Sequence, residues 1–260
     1  MYQYSLPFFV LLFTQAIADA PLADELDVRS ENLNKEFLSS LYRNICRSLF
    51  EKDKMIFSFL LCIKLNSMAG EVAPEEFRFL LTGGVDIGEE LPEIPAPWIT
   101  EAMWGELNRA SKLPGFRGFL DHFVKNVEVY KELLEAQDPA SWQFPAAAKL
   151  TLNKLRELIV LRAIRPDKLV PAISNYVISY LGPEFMQPPP FELPNIYKDS
   201  SSITPLIFVL SPGSDPLNAL QKFGDLKKKS IEAVSLGQGQ GEKAENAIRE
   251  AMKSGNWVVL

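Results

Sequence analysis

Apolar residues recur at three- and four-residue steps through the first three-quarters of the chain, and then the rhythm changes. From Leu33 through Phe37, Leu38, Leu41, Ile45, Cys46, Leu49, Ile56, Phe59 and Leu60 to Ile63 the spacing is that of one buried face of a very long helix. Pro21 and Asp24 separate it from an earlier helix that starts near Tyr4. Between the anchors, Arg47 to Lys54 interleaves charge in the manner of a solvated helix face. Pro74 to Leu81 predicts a short helix with proline at its first position, ended by Thr82-Gly83-Gly84. Pro92, Pro95 and Pro97 make 85–97 an extended loop, and Trp98 and Trp104 mark a helix that ends near Lys112, before Pro114-Gly115. Further helices are expected from His122 to Ala136, from Pro145 to Ile164 with Leu152, Leu155, Leu158, Ile159 and Val160 inward, and from Arg165 to Leu181.

The segment from Gln187 to Pro194 holds four prolines, which predicts a stiff polyproline linker, and composition shifts at about residue 195. Beyond it the pattern is α/β: strands at 206–210, 231–235 and 257–260 and helices at 216–223 and 242–253, giving right-handed crossovers and a three-stranded parallel sheet. The continuous apolar run Leu206 to Leu210 reads as a strand covered on both faces. A sheet this small is marginal by itself, so the α/β part reads as a domain cut off part-way.

Two strand-to-helix turns carry the candidate chemistry. Ser211, Pro212, Gly213, Ser214 and Asp215 stand where a P-loop would, with Asp215 placed to cap a helix that has Pro216 at its first position. A working P-loop needs G-x-x-x-x-G-K-[ST], so that amides cradle phosphates, the lysine reaches the terminal phosphates and the hydroxyl holds magnesium. The second glycine and the lysine are missing here, so the turn is a degenerate P-loop. Gly237, Gly239 and Gly241 form the second turn. Their G-x-G-x-G spacing departs from the dinucleotide fingerprint and follows the second strand, which favours a structural turn packed closely on its helix.

Composition narrows the classes. The 260 residues are 47% hydrophobic and 23% charged, with a net charge of -6, which argues against a nucleic-acid partner. Lys227-Lys-Lys229 reads as a solvated loop. Cys46 and Cys62 lie in an apolar helical region and His122 is the single histidine, so no zinc site is expected; reduced core thiols and an intracellular protein are. No residue near His122 could activate it, which makes it a surface or packing histidine. Leu6 to Ala18, followed by Asp19-Ala20, looks like a signal-peptide core, but no basic residue precedes it and it is too short to span a bilayer.

Long stretches resemble one family. Met1-Tyr-Gln-Tyr-Ser-Leu6, Asn44 to Lys54, Phe57 to Cys62, Phe79 to Val85, Leu161 to Lys168, Glu184 to Phe191, Thr204 to Gly213 and Ile231 to Gly241 are similar, in order, to dynein heavy chains, most of all the axonemal class. The resemblance implies the end of the fifth AAA+ module with its helical lid, leading into the sixth module. It gives a mainly α chain: a helical lid region (1–130), a helical connector with the proline-rich linker (131–195), and a truncated α/β, P-loop-like AAA+ core (196–260). Dynein is an ATP-driven, minus-end-directed microtubule motor whose hydrolysis centres on the first module. The resemblance therefore implies a non-catalytic ring segment with no ATPase activity alone and no cofactor of its own, ATP and magnesium belonging to the parent motor. Implied partners are neighbouring AAA+ modules and, through the parent complex, intermediate and light chains and microtubules, with no nucleic acid and no membrane; the implied location is cytoplasm, cytoskeleton and the axoneme of a cilium or flagellum. Two other readings stay open at this point: a small nucleotide-binding protein using the two turns, and a secreted helical protein.

Overall fold

The computed structural model describes the chain outside residues 1, 85–87, 89, 146–147, 149–151, 188–192, 199, 202–205 and 211–214, and the side chains beyond residue 8. It divides into two compact units, Met1–Pro188 and Pro189–Leu260.

The first unit is helical. α1 (Tyr2–Asp19) and α2 (Leu26–Cys46) form an antiparallel pair. Leu12 and Ala16 are buried, and Phe13 meets Phe37 edge-on at 5.8 Å. Arg29 closes the turn by donating to the carbonyls of Ile17, Ala20 and Pro21. The segment that looked like a signal-peptide core is thus one half of a helical hairpin.

The single long helix expected across residues 33–63 is instead two. α2 ends at Cys46 and α3 (Glu51–Met68) begins after Phe50, which is extended at φ −63° and ψ 150°. Glu51 and Asp53 in the first turn of α3 favour a new N-terminus there, a signal that outweighs the continuing apolar spacing. α4 (Pro74–Thr82) and α5 (Glu101–Ser111) follow, the latter capped by Thr100, whose hydroxyl accepts from the Met103 amide at 3.2 Å. The helix expected at 122–136 is broken at Asn126 into α6 (Phe119–Lys125) and α7 (Val127–Glu135). His122 is a packing residue: its ring stands edge-on to Tyr130 at 6.0 Å, and the Asn126 amide donates to its carbonyl at 2.8 Å.

α8 (Lys154–Ile164) is the hub, packing against α4, α5 and α9 (Leu169–Leu181). Leu155, Leu158, Ile159, Val160, Leu161 and Ile164 bury it on nearly every side. Of the helix expected from Pro145, residues 146–147 and 149–151 lie outside the described residues and Ala148 is helical; the run is interrupted at Leu152-Asn153, where Asn153 is extended and its side chain accepts from the Arg156 amide at 3.0 Å to start α8. Around the hub lies a continuous core with an aromatic nest of Trp104, Phe116, Phe119, Phe123 and Tyr130. Cys46 and Cys62 are buried in that core as free thiols, as the sequence predicts. Desolvation pushes the Cys62 thiol up to about 12.

In the second unit, Leu193 and Pro194 begin a short helix, α10 (Leu193–Lys198), where the linker was expected to continue; the linker's middle lies outside the described residues. α11 (Pro216–Leu226), β1 (Ile231–Ala233), α12 (Gly241–Ser254) and β2 (Trp257–Val259) follow. β1 and β2 pair in parallel, with Ile231 opposite Trp257 and Ala233 opposite Val259, and α12 crosses between them. Residues 206–210, expected as a third, buried strand, have no regular structure, and Ile207 is 85% exposed. An apolar run becomes a strand only where a partner strand accepts its hydrogen bonds, and in the described sheet β1 and β2 pair only with each other. Tyr197, Phe223 and Trp257 pack together and hold α10, α11 and β2.

Candidate functional site

Both candidate turns lie in the second unit. Of the degenerate P-loop, Ser211, Pro212, Gly213 and Ser214 fall outside the described residues, and Asp215 is described. It precedes α11, and its Oδ1 accepts from the amides of Leu217 at 3.1 Å and Asn218 at 3.4 Å. In a phosphate-binding loop those first amides of the helix face the ligand. Here a carboxylate of the chain itself occupies them. The first turn, Pro216-Leu217-Asn218, brings no lysine or hydroxyl to the position.

The glycine turn is exposed from Ser235 to Lys243 and closed by its own backbone: the Gly237 amide donates to Ser235 O at 2.9 Å, and Gln240 N to Gly237 O at 3.2 Å. Gly239 has φ +79°, a region that favours glycine. A Cβ on Gly237, Gly239 or Gly241 would meet nothing within 4 Å, so the close packing expected of this turn is not found within the described chain. Gly241 opens α12 without a side-chain cap. An open cleft of about 450 Å³ beside Gly239 is lined by Glu232, Glu242 and Glu250 against the single cation Lys243, an acidic surrounding that repels phosphate. Asp215 is therefore engaged as the cap of α11, and the glycine turn is closed by its own backbone.

Sequence reading missed a second class of feature, charged side chains inside the helical unit. Glu76 of α4 is 1% exposed and pairs with Arg156 of α8 at 2.8 Å. Glu106 of α5 takes Arg162 of α8 at 2.8 Å and Arg109 at 3.3 Å. Arg165 forms a two-bond fork with Asp167 and donates to Leu134 O at 2.7 Å, tying the end of α7 to the start of α9. Glu76, Arg156, Glu106 and Arg162 belong to apolar-periodic helices and give no signal except their position facing another helix. Among the described residues no helix is long and apolar enough to cross a membrane, and no group of three or more His, Cys, Asp or Glu could hold a metal ion.

Residues 201–260 match a family model described as the dynein heavy chain region D6 P-loop domain. The chain is 44% identical to dynein axonemal heavy chain 12 of Mus musculus over 97% of its own length, 43% identical to dynein axonemal heavy chain 3 of Mus musculus over 100%, and 41% identical to dynein axonemal heavy chain 1 of Homo sapiens over 99%. The chain belongs to the dynein heavy chain family. It covers 8% of the first of these relatives and 6% of the other two, so it corresponds to a small part of such a heavy chain. In this dynein segment the matched P-loop domain begins within the second unit, and the helical unit precedes it.

Proposed function

We propose that this chain is a non-catalytic segment of a dynein motor ring, which contributes to ATP-driven, minus-end-directed microtubule motility by mechanical coupling between ring modules. The observation that carries the reading is Asp215, whose carboxylate already accepts from the first amides of α11. A nucleotide phosphate at this helix end would have to displace that carboxylate and lie beside its charge, with no lysine in the turn to offset the repulsion. The glycine turn offers acidic surroundings and no cap-side cation beyond Lys243. Both features favour a ring segment over a nucleotide-binding protein.

Mechanical coupling draws support from the first unit. Its helices are joined through one hub, α8, and through ion pairs that reach from α8 to α4 and α5, so that a displacement of one helix is transmitted to the others. Neighbouring modules of the same heavy chain are the immediate partners, with intermediate and light chains and microtubules reached through the parent complex, in the axoneme of a cilium or flagellum. Isothermal titration of the 260-residue chain with magnesium-ATP is the test. The expected result is no binding heat and no ATPase turnover. Micromolar binding that disappears on changing Ser211 or Gly213 overturns the reading.

A further inference from the structure

The stop signal Thr82-Gly83-Gly84 does more than end α4. Gly83 has φ +72°, and a Cβ there would lie 2.7 Å from Glu106 Oε1 and 2.9 Å from Arg162 Nη2. A Cβ on Gly84 would fall 2.5 Å from Arg109 Cδ and 2.8 Å from its Nε, and one on Gly105 would be 3.1 Å from Arg109 Nη1. Arg109 therefore lies in a slot that two glycines leave open.

Glu106 does not satisfy this arginine. Its Oε2 is held by Arg162 at 2.8 Å, and its Oε1 meets Arg109 only at 3.3 Å. Arg109 Nε is buried with no partner among the described residues. A guanidinium carries five N–H donors in a planar fork, and among the described residues Nε is left without a partner. The group lies at the edge of a cleft of about 790 Å³ between α5 and the loop residues Gly88 and Glu90 to Ile94. Trp104 Nε1 donates to Pro92 O at 2.8 Å and holds the loop wall in place. That wall carries Glu90, Glu93 and the half-exposed Leu91 and Ile94, and Glu101 stands at the start of α5.

We propose that this cleft is a docking site for a peptide segment bearing a carboxylate, then aliphatic side chains, then a basic residue, with Arg109 taking the carboxylate. The planar fork matches a carboxylate in two-bond geometry. Among the described lining residues, Glu90, Glu93 and Glu101 outnumber the cations Arg109 and Lys112, which disfavours a dianionic phosphate, and the glutamates of the loop wall attract the basic residue. Leu91 and Ile94 supply the apolar contact between the two charges.

The test uses the 15N-labelled 260-residue chain and three probes: acetyl-Glu-Leu-Leu-Lys-amide, its glutamine twin acetyl-Gln-Leu-Leu-Lys-amide, and inorganic phosphate. The readout is the Arg109 Nε–H and Trp104 Nε1–H resonances. The glutamate peptide is expected to shift both saturably, and the glutamine twin to bind about tenfold more weakly or worse. Arg109→Lys, which keeps the charge and loses the fork, and Gly84→Ala, which fills the slot, are each expected to weaken the glutamate peptide about tenfold while leaving the peptide-free Trp104 resonance in place. Equal response to the two peptides, tighter binding of phosphate, or no shift with any probe up to about 10 mM overturns the proposal.

Discussion

Replacing Gly115 by alanine sets two effects of opposite sign against each other, and the structure decides which wins. Gly115 is not among the glycines with positive φ, so alanine can adopt its backbone and, by restricting the unfolded chain, would alone stabilise by about 0.4–1 kcal/mol. Space is the obstacle. A Cβ at Gly115 would fall onto Arg156 Nε and Cζ and onto Glu76 Oε1, the two partners of the buried ion pair between α4 and α8. Arg156, 24% exposed in its side chain, can swing outward; Glu76, 1% exposed, cannot follow. Its Oε2 has no partner among the described residues, so the carboxylate would be left buried and uncompensated. Stripping a buried charge of its partner costs about 3–5 kcal/mol, which outweighs the backbone gain and leaves a net loss of about 3 kcal/mol. Urea unfolding followed by tryptophan fluorescence, on the wild type, Gly115→Ala, Glu76→Ala and the double variant, measures this. In the Glu76→Ala background the clash with Oε1 is gone, and the cost of Gly115→Ala is expected to shrink by about 2 kcal/mol or more. An unchanged midpoint for Gly115→Ala, or additivity within about 0.5 kcal/mol, refutes the reasoning.

Asn153→Ala removes the cap of α8 together with the 2.7 Å bond from its side-chain amide to Glu71 O, and is expected to lower stability by about 1–2 kcal/mol in the same urea assay. High pH is expected to unfold the first unit. Burial pushes Cys62 from 9.0 to about 12, and Tyr42 and Tyr180 from 10.0 to about 12, so the fold favours their protonated forms. That contribution is complete below the ordinary values and is lost as pH rises from 9.0 toward about 12. Urea midpoints from pH about 8 to about 11 should fall, and Cys62→Ala should flatten part of the fall; a flat profile in the wild type contradicts this assignment.

The helical unit was largely legible, because its packing follows from spacing alone: Leu155, Leu158, Ile159 and Val160 point inward as their positions require. Its breaks were harder. The apolar period runs through Arg47–Phe50 without a gap, and only the acids at Glu51 and Asp53 mark a new helix, a weak local signal beside a strong periodic one. Leu206 to Leu210 failed for the opposite reason. Apolar character records a preference for burial, whereas a strand also needs a partner strand, and the sequence of the run does not supply one. The degenerate turn was visible as missing residues; that Asp215 fills the vacated role was only half visible, since a cap can be read from Asp-Pro but not its consequence for phosphate. The Arg109 slot was invisible, because it depends on Gly84 and Gly105 meeting the same side chain across α4 and α5.

Asp215 has a further consequence for how the proposed ring segment would respond during a motor cycle. A turn that binds a diffusible anion has an empty and a filled state, and its population follows ligand concentration. A turn that carries its anion covalently has no empty state to populate. On the proposed reading the first turn of α11 would be insensitive to nucleotide levels, a fixed reference against which the movements of responsive neighbours could be registered.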